Sequence, residues 1–170
     1  MQALYAYEQG GGPADEILSN VLRPSLETDA AGERFAESLF LRTIDRTEEA
    51  DATIEGHVRN WEIGRIALVD RILLRMGITE MLAFEDIPPK VSINEVIDIA
   101  KRYSTHKSGQ FINGILDAAL TRFADEGKLK KSGRGLVGMP SLARKPAAPA
   151  ADGAPNAAPD AAPPEAGPEA

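Results

Sequence analysis

The sequence predicts an all-α protein with about seven helices and short connections. Two observations predict this class. Apolar residues recur at helical spacing (i, i+3, i+4 and i+7) in every segment that has a clear period. By contrast, no run of four or more residues alternates cleanly between apolar and polar side chains, as a half-buried strand would. The one short β candidate is RGLVGMP, residues 134–140, and its pattern is weak.

The amino-terminal half contains four predicted helices. The string QALYAYEQ is expected to close a helix before the Gly10–Pro13 breaker. A short helix is expected over residues 15–22, and it should end there because Pro24 cannot continue it. Asp29 is placed to cap a long helix, and Thr47 begins another with two acids in its first turn, where the helix dipole favours them.

Two further helices are predicted on either side of a rigid connector, DIPP. The first covers residues 65–76, and we expect Gly77 and Thr79 to kink or restart it. In the string SINE, Ser92 and Glu95 have the spacing of a capping box, with Ser92 as the N-cap of the next helix. The apolar stripe of that helix predicts that Tyr103 faces inward.

The last predicted helix begins at Ser108 as N-cap and contains an unexpected pair, Asn113 and Gly114. A glycine inside a helix costs about 1 kcal/mol relative to alanine, and asparagine is a mediocre helix former. We expect Gly114 to permit close approach of another helix and the Asn113 amide to satisfy a neighbouring backbone group. A basic, Gly-containing extension, residues 128–145, follows.

The end of the chain is predicted to be a disordered Ala/Pro-rich tail, residues 146–170. These 25 residues contain 11 Ala, 7 Pro and four acids, with no aromatic or branched apolar side chain. Such a segment cannot bury enough apolar surface to offset the entropy lost on ordering. Deleting it should leave the melting temperature nearly unchanged.

The net charge of −7 conceals a segregation along the chain. Residues 1–100 carry a net charge of −10, residues 101–145 carry +7 and the tail carries −4. This distribution suggests one anionic partner and one basic partner. The alternative is a set of solvated lysines around a helix end, and charge counting does not separate the two.

Several function classes find no support in the sequence. The absence of cysteine removes disulfides, thiolate nucleophiles and zinc–cysteine sites. The chain has neither a signal-peptide pattern nor an apolar run that approaches the roughly 20 residues of a membrane span, so we expect a soluble cytoplasmic protein. His57 and His106 have no catalytic partner at a recognisable spacing, and no metal or nucleotide motif is present. We therefore expect neither an enzyme nor a cofactor.

A long string, LVDRILLRMGITEMLAFEDIPPKVSINEVIDIAKRYSTHKSGQFINGILDAAL, closely resembles the second half of the transcription antitermination factor NusB family. The matching positions are Leu74-Arg75, Glu80, Ile87-Pro88, Lys90-Val91, Ile93-Asn94-Glu95, Ala100-Lys101, Phe111, Asn113-Gly114, Leu116 and Asp117. QALYAYEQ resembles the end of the family's first helix. The resemblance covers roughly residues 1–125 and is weak between Gly10 and Gly64.

The resemblance implies a fold and a function. The family's fold is two small three-helix bundles packed across one another, so residues 1–127 are expected to form a helical RNA-binding domain. The family is not enzymatic. It binds the boxA element of ribosomal RNA operons together with the ribosomal protein NusE, joins RNA polymerase and other Nus factors, and suppresses premature termination.

The resemblance also implies site residues. The expected RNA-binding residues are Gln2, Tyr5, Lys101, Lys107, Phe111, Asn113, Asp117 and Arg122. The expected contacts with the protein partner are Tyr5, Asp70 and Glu80, with Asp70 on an acidic surface beside Glu80. Tyr5 and Phe111 would stack on bases, although Phe111 also fits the core, and the basic side chains would contact phosphates.

Three further expectations depend on the limits of the resemblance. Some ribosomal RNA cytosine methyltransferases carry a NusB-like domain, but the low-complexity tail leads us to expect no catalytic domain of that kind. A helical adaptor that binds only proteins is the alternative, favoured if the basic residues after Lys101 form no surface patch with Arg122. The family's arginine-rich arm precedes the residues matching Gln2, so we expect the native protein to start earlier. Otherwise, Lys128, Lys130, Lys131 and Arg134 would replace the arm.

Overall fold

The computed structural model describes residues 1–26, 28–58, 63–105 and 107–139. Within these ranges the structure is helical, with short π and 3-10 turns and no strand, so the predicted all-α class is confirmed. The helices are α1 (Gln2–Gly10), α2 (Ala14–Ile17), α3 (Ala30–Asp45), α4 (Thr47–Glu55), α5 (Leu68–Ala83), α6 (Pro89–Tyr103) and α7 (Ser108–Asp125). None of these helices has the length and apolar content needed to cross a bilayer.

Some predictions concern other residues or fail in detail. His106 and the predicted tail lie outside the described residues. The weak β candidate is wrong where it is described, because Gly133–Leu136 forms a 3-10 turn. The short helix expected over residues 15–22 is present, but its second half, Leu18–Leu22, is π-helical.

The first helical group consists of α1, the turns that follow α2, and α3. Its apolar face includes Leu4, Leu18, Leu22 and Phe40, each less than a tenth exposed. The ring of Tyr7 meets Phe40 edge to face, with 6.1 Å between centroids. This contact anchors α1 to α3. A helix of nine residues is marginal alone and therefore depends on such packing.

The second helical group consists of α5, α6 and α7, which pack against one another pairwise. Leu73, Leu116, Leu120 and Phe123 are at most 1% exposed and form its centre. Helix α5 also contacts α1, α3 and α4, so it belongs to both parts of the core. The two-bundle arrangement implied by the resemblance is therefore confirmed.

At Gly77, in the centre of α5, side chains of α6 and α7 lie close to the helix backbone. A Cβ added at Gly77 would lie 3.0 Å from Leu116 Cδ1 and 3.3 Å from Val96 Cγ2. The expectation that Gly77 kinks or restarts the helix is wrong, since α5 is continuous from Leu68 to Ala83. Gly77 instead leaves room for side chains of α6 and α7.

The helix starts agree only partly with the sequence analysis. Asp29 caps α3 as predicted, because its Oδ1 accepts the Gly32 N–H at 2.9 Å. The capping box is wrong: α6 begins at Pro89, one turn earlier, and Ser92 is fully buried inside the helix. Ser108 is the first residue of α7 rather than its N-cap, and its hydroxyl makes no capping hydrogen bond.

A buried arginine joins three helices of the fold. Arg75 on α5 is 7% exposed, and its guanidinium donates two hydrogen bonds of 2.6 Å to Asp51 on α4. A third hydrogen bond of 2.8 Å reaches Glu8 on α1. The planar fork of arginine suits this bidentate arrangement, which lysine could not reproduce. Arg75 therefore fixes the position of α1, which carries Gln2 and Tyr5.

Candidate functional site

An open groove of about 630 Å³ lies between the start of α1 and the last turns of α6. Gln2 lines it from α1, and Lys101, Arg102 and Tyr103 line it from α6. The structure thus brings together two residues of the predicted RNA set, Gln2 and Lys101, that are far apart in the sequence. The groove also contains Arg102 and Tyr103, which the sequence analysis did not select.

The charges in this groove are mixed. Lys101 Nζ lies 2.7 Å from Asp98 Oδ1, and both side chains are 66% exposed. Such an exposed pair contributes little stability, so an incoming phosphate can replace the carboxylate at small cost. Glu95 also lines the groove. Arg102 is exposed and forms no ion pair with any residue that the structure describes.

Tyr103 is an exposed aromatic side chain at the end of α6. Its side chain is 52% exposed, so the expectation that it faces inward is wrong. The apolar period of α6 does not determine the direction of its last residue, where the helix ends and neighbouring helices no longer cover it. An exposed tyrosine beside two cations offers a stacking surface for a nucleobase.

The two aromatic residues selected from the sequence differ in exposure. Tyr5 is 42% exposed and lies one turn after Gln2, on the same face of α1. Phe111 is partly buried and packs against the core, as its place on the apolar stripe allows. Tyr5 is therefore free to contact a ligand, whereas Phe111 serves mainly in packing.

Asn113 and Asp117 form a polar pair on the outer side of α7. The Asn113 amide donates to Asp117 Oδ2 at 3.0 Å, so the expectation that it satisfies a neighbouring backbone group is wrong. Gly114 is exposed, which also contradicts the expected close approach of another helix. This exposed glycine leaves the surface beside the amide–carboxylate pair low and accessible.

Among the residues that the structure describes, the basic side chains after Lys101 do not form one patch with Arg122. Arg122 donates to Glu126 at 2.7 Å, and Lys128 lies 2.7 Å from the same carboxylate. Lys107 is exposed at the other end of α7, about 20 Å away at 1.5 Å per residue. The described positive charges of this segment are therefore divided between the two ends of α7.

Glu80 lies in the last turn of α5 and is only partly buried. Burial raises the pKa of its carboxyl group above the ordinary 4.5, with the negative charge of Glu95 acting in the same direction. The Ser92 hydroxyl and the Lys131 ammonium lower the pKa. The hydroxyl faces the carboxyl without a hydrogen bond of standard geometry. Glu80 thus keeps some exposure to solvent while Ser92, Lys131 and Glu95 lie nearby.

Asp70 does not lie on an acidic surface, so that prediction is wrong. Its side chain is 1% exposed and accepts a hydrogen bond of 2.5 Å from Ser104 Oγ. Ser104 is in turn 2.8 Å from Ser108 Oγ, which also contacts the Thr105 hydroxyl. Asp70 thus stabilises the α6–α7 turn from inside the protein. Sequence periodicity did not distinguish this buried carboxylate from an exposed one.

Comparison with known proteins identifies the family. The family model described as NusB matches residues 1–121. The transcription antitermination protein NusB of Salinibacter ruber is 52% identical over 145 residues, which is 85% of this chain and 91% of the relative. The corresponding protein of Chloroherpeton thalassium is 43% identical over 149 residues, covering 88% of this chain and 71% of the relative.

Solved structures agree with the sequence comparisons. NusB from T. maritima is 34% identical, with a TM-score of 0.64 over 69% of this chain and 82% of that chain. A crystal structure of the antitermination factors NusB and NusE in complex with double-stranded RNA contains a chain 27% identical to this one. Its TM-score is 0.65, over 71% of this chain and 89% of that chain. The chain described here belongs to the NusB family.

Proposed function

We propose that the chain is a transcription antitermination factor that binds boxA RNA of ribosomal RNA operons together with NusE. Membership of the NusB family is the single observation that carries this proposal. The relatives bear the name transcription antitermination protein, and a similar chain occurs in a solved complex with NusE and RNA. In this role the chain has no catalytic activity of its own.

The groove beside α1 supports an RNA-binding role. Lys101 and Arg102 supply positive charge for phosphates, and the exposed Tyr103 ring supplies a stacking surface. Gln2 places an amide nearby, which can both donate to and accept from a base edge. Tyr5 extends this surface along α1, and Lys107 adds charge near the start of α7.

The outer side of α7 supports base recognition. Asn113 and Asp117 present an amide and a carboxylate beside the small Gly114. An amide forms paired hydrogen bonds with adenine, and a carboxylate accepts from the amino group of cytosine. The carboxylate would repel a phosphate, so this pair suits unpaired bases better than the RNA backbone. Arg122, at the far end of α7, would contact phosphates further along the strand.

The end of α5 supports binding of a basic protein such as NusE. Glu80 is accessible, and Glu85 and Asp86 are exposed in the connector that follows α5. Opposite charges across an interface increase the association rate and fix orientation. RNA polymerase and other Nus factors would join the resulting complex, in the cytoplasm.

A helical adaptor that binds only proteins is the second candidate function. The division of basic residues between the two ends of α7 favours it, because a continuous basic patch with Arg122 was the expected footprint of RNA. The groove beside α1 opposes it, since an exposed tyrosine flanked by cations suits a nucleic acid. RNA binding by the isolated protein separates the two candidates.

Electrophoretic mobility shifts with boxA RNA and a scrambled RNA of the same composition test the proposal. We expect the boxA complex to be tighter, to weaken at higher salt and to strengthen when NusE is added. Equal affinity for both RNAs, with and without NusE, would contradict the specific function. Binding of NusE without any RNA binding would support the adaptor.

A further inference from the structure

The basic extension returns to the helical core after α7. We call residues 128–139 the strap. The chain reverses at Gly127, where φ is +64°, and the Lys128 N–H donates to the Phe123 carbonyl at 2.9 Å. Leu129 then packs against the core. The strap lies beyond residue 121, where the match to the family model ends.

The strap contacts the backbone of the α5–α6 connector, residues 84–88. Lys131 Nζ donates to the Phe84 carbonyl at 2.7 Å and to the Ile87 carbonyl at 2.9 Å. The Ser132 N–H donates to the Glu85 carbonyl at 2.9 Å. Three hydrogen bonds from two consecutive residues, Lys131 and Ser132, to one short connector define a specific docking position for the strap.

The docked position of the strap requires a glycine at position 135. Gly135 is buried, and a Cβ at this position would collide with the carbonyl oxygen and carbon of Glu85. The atoms in the way belong to backbone and cannot rotate aside. Alanine at this position would therefore displace the strap from the connector without changing its charge.

The docked strap places a cation among three carboxylates. Burial lowers the pKa of Lys131 below its ordinary value, and the negative charges of the nearby Glu80, Asp86 and Glu85 act in the opposite direction. Lys131 in turn lowers the pKa of Glu80. The strap thus adds a positive charge, from within the same chain, to the acidic surface to which a basic partner would bind.

We propose that the strap is an intramolecular competitor for the basic partner protein at Glu80. Lys131 occupies the electrostatic position that a basic side chain of the partner would take, and partner binding displaces the strap. This inference rests on the proposed function, because it assumes that Glu80 contacts the partner. It adds a regulation of that surface by the chain's own extension.

The packing of the strap suits a contact that can be released. Leu136 and Val137 are 51% and 66% exposed, so they add little apolar burial. Hydrogen bonds then carry most of the attachment, and water replaces them when the strap leaves. Such weakly buried segments lie at the low end of local stability within a protein. If the docked form exceeds the free form about tenfold, releasing the strap raises partner affinity about tenfold.

Three variants of the full chain test this regulation by calorimetric titration with NusE. Gly135→Ala displaces the strap without a charge change, and Lys131→Gln removes the competing cation. Lys130→Gln is the matched control, because it makes the same charge change at an adjacent exposed residue. We expect the first two variants to bind NusE several-fold more tightly, and the control to show only the small effect of one lost charge. Hydrogen exchange at the Ser132 amide should accelerate when NusE binds the wild-type protein.

The outcomes separate this inference from the proposed function. Unchanged or weaker NusE binding by Gly135→Ala and Lys131→Gln, with normal binding by the wild type, would overturn the competition alone. Continued protection of the Ser132 amide in the complex would also overturn it, since the strap would then remain docked. Failure of the wild type and all variants to bind NusE would overturn the proposed function and the regulation with it.

Discussion

At the scale of single residues, Glu80 is partly buried and is also expected to contact the protein partner. Its folded-state pKa lies above the ordinary 4.5, chiefly because of burial. Between the ordinary pKa of the unfolded chain and the raised pKa of the folded protein, the folded protein binds more protons. Its stability therefore falls as the pH rises through that range. This direction is opposite to that of a carboxylate held in a salt bridge.

Replacing Glu80 by glutamine should remove this loss of stability. We expect Glu80→Gln to melt at a higher temperature than the wild type at pH 7, and the difference to shrink towards pH 4, where the wild-type carboxyl is also protonated. Thermal melts followed by circular dichroism at both pH values measure this. Glu85→Gln, at an exposed position, is the control. A Glu80→Gln protein less stable than wild type at pH 7 alone would contradict the prediction.

Reversing the charge at Glu80 should act on the protein partner more than on RNA. We expect Glu80→Arg to weaken NusE binding, by about 2–5 kcal/mol if the carboxylate is desolvated in the complex and by much less at a rim. RNA binding by the protein alone should change little, because the groove is formed by α1 and the end of α6. Calorimetry with NusE that shows no change would remove Glu80 from the interface.

At the scale of helices, local signals predicted more than signals that depend on packing. The cap at Asp29 was predictable because the carboxylate and the N–H that it satisfies are three residues apart. The start of α6 was not, because Pro89 can begin a helix at its first position and the core then buries Ser92. The role of Gly77 was also hidden, since it depends on α6 and α7.

Two glycines inside helices should respond in opposite ways to an added methyl group. Gly77→Ala should lower stability by about 1–3 kcal/mol, because the methyl group overpacks the junction with Leu116 and Val96. Gly114→Ala should raise stability by up to about 1 kcal/mol, because the position is exposed and alanine favours the helix. Urea denaturation of both variants measures the changes. Destabilisation by Gly114→Ala would restore close helix packing as the reason for that glycine.

At the scale of the whole molecule, the charge distribution along the chain did not predict the surface. The positive charge of residues 101–145 suggested one patch, yet Lys101 pairs with Asp98, Arg122 with Glu126, and Lys131 binds backbone carbonyls. The partners of Lys101 and Arg122 are three and four residues away on the same helix, whereas packing brings the carbonyls that Lys131 binds from a distant segment. The count of charges therefore indicated a class of partner but not its position.

The candidate site was predictable only in part for the same reason. Gln2 and Lys101 could be selected through the resemblance, but their meeting in one groove required the packing of α1 on the core. Tyr103 was missed because helical periodicity does not determine the exposure of a terminal residue. Asp70 was misplaced because a carboxylate paired inside the protein and one in solvent look alike in sequence.

The central claim is that this chain recognises boxA RNA and NusE as one coupled unit. Dissociation constants for boxA RNA with and without saturating NusE, and for NusE with and without boxA RNA, test it most directly. We expect each partner to tighten the binding of the other by the same factor, because binding linkage is reciprocal, and scrambled RNA to produce no such factor. Identical coupling with scrambled RNA, or none with boxA RNA, would contradict the claim.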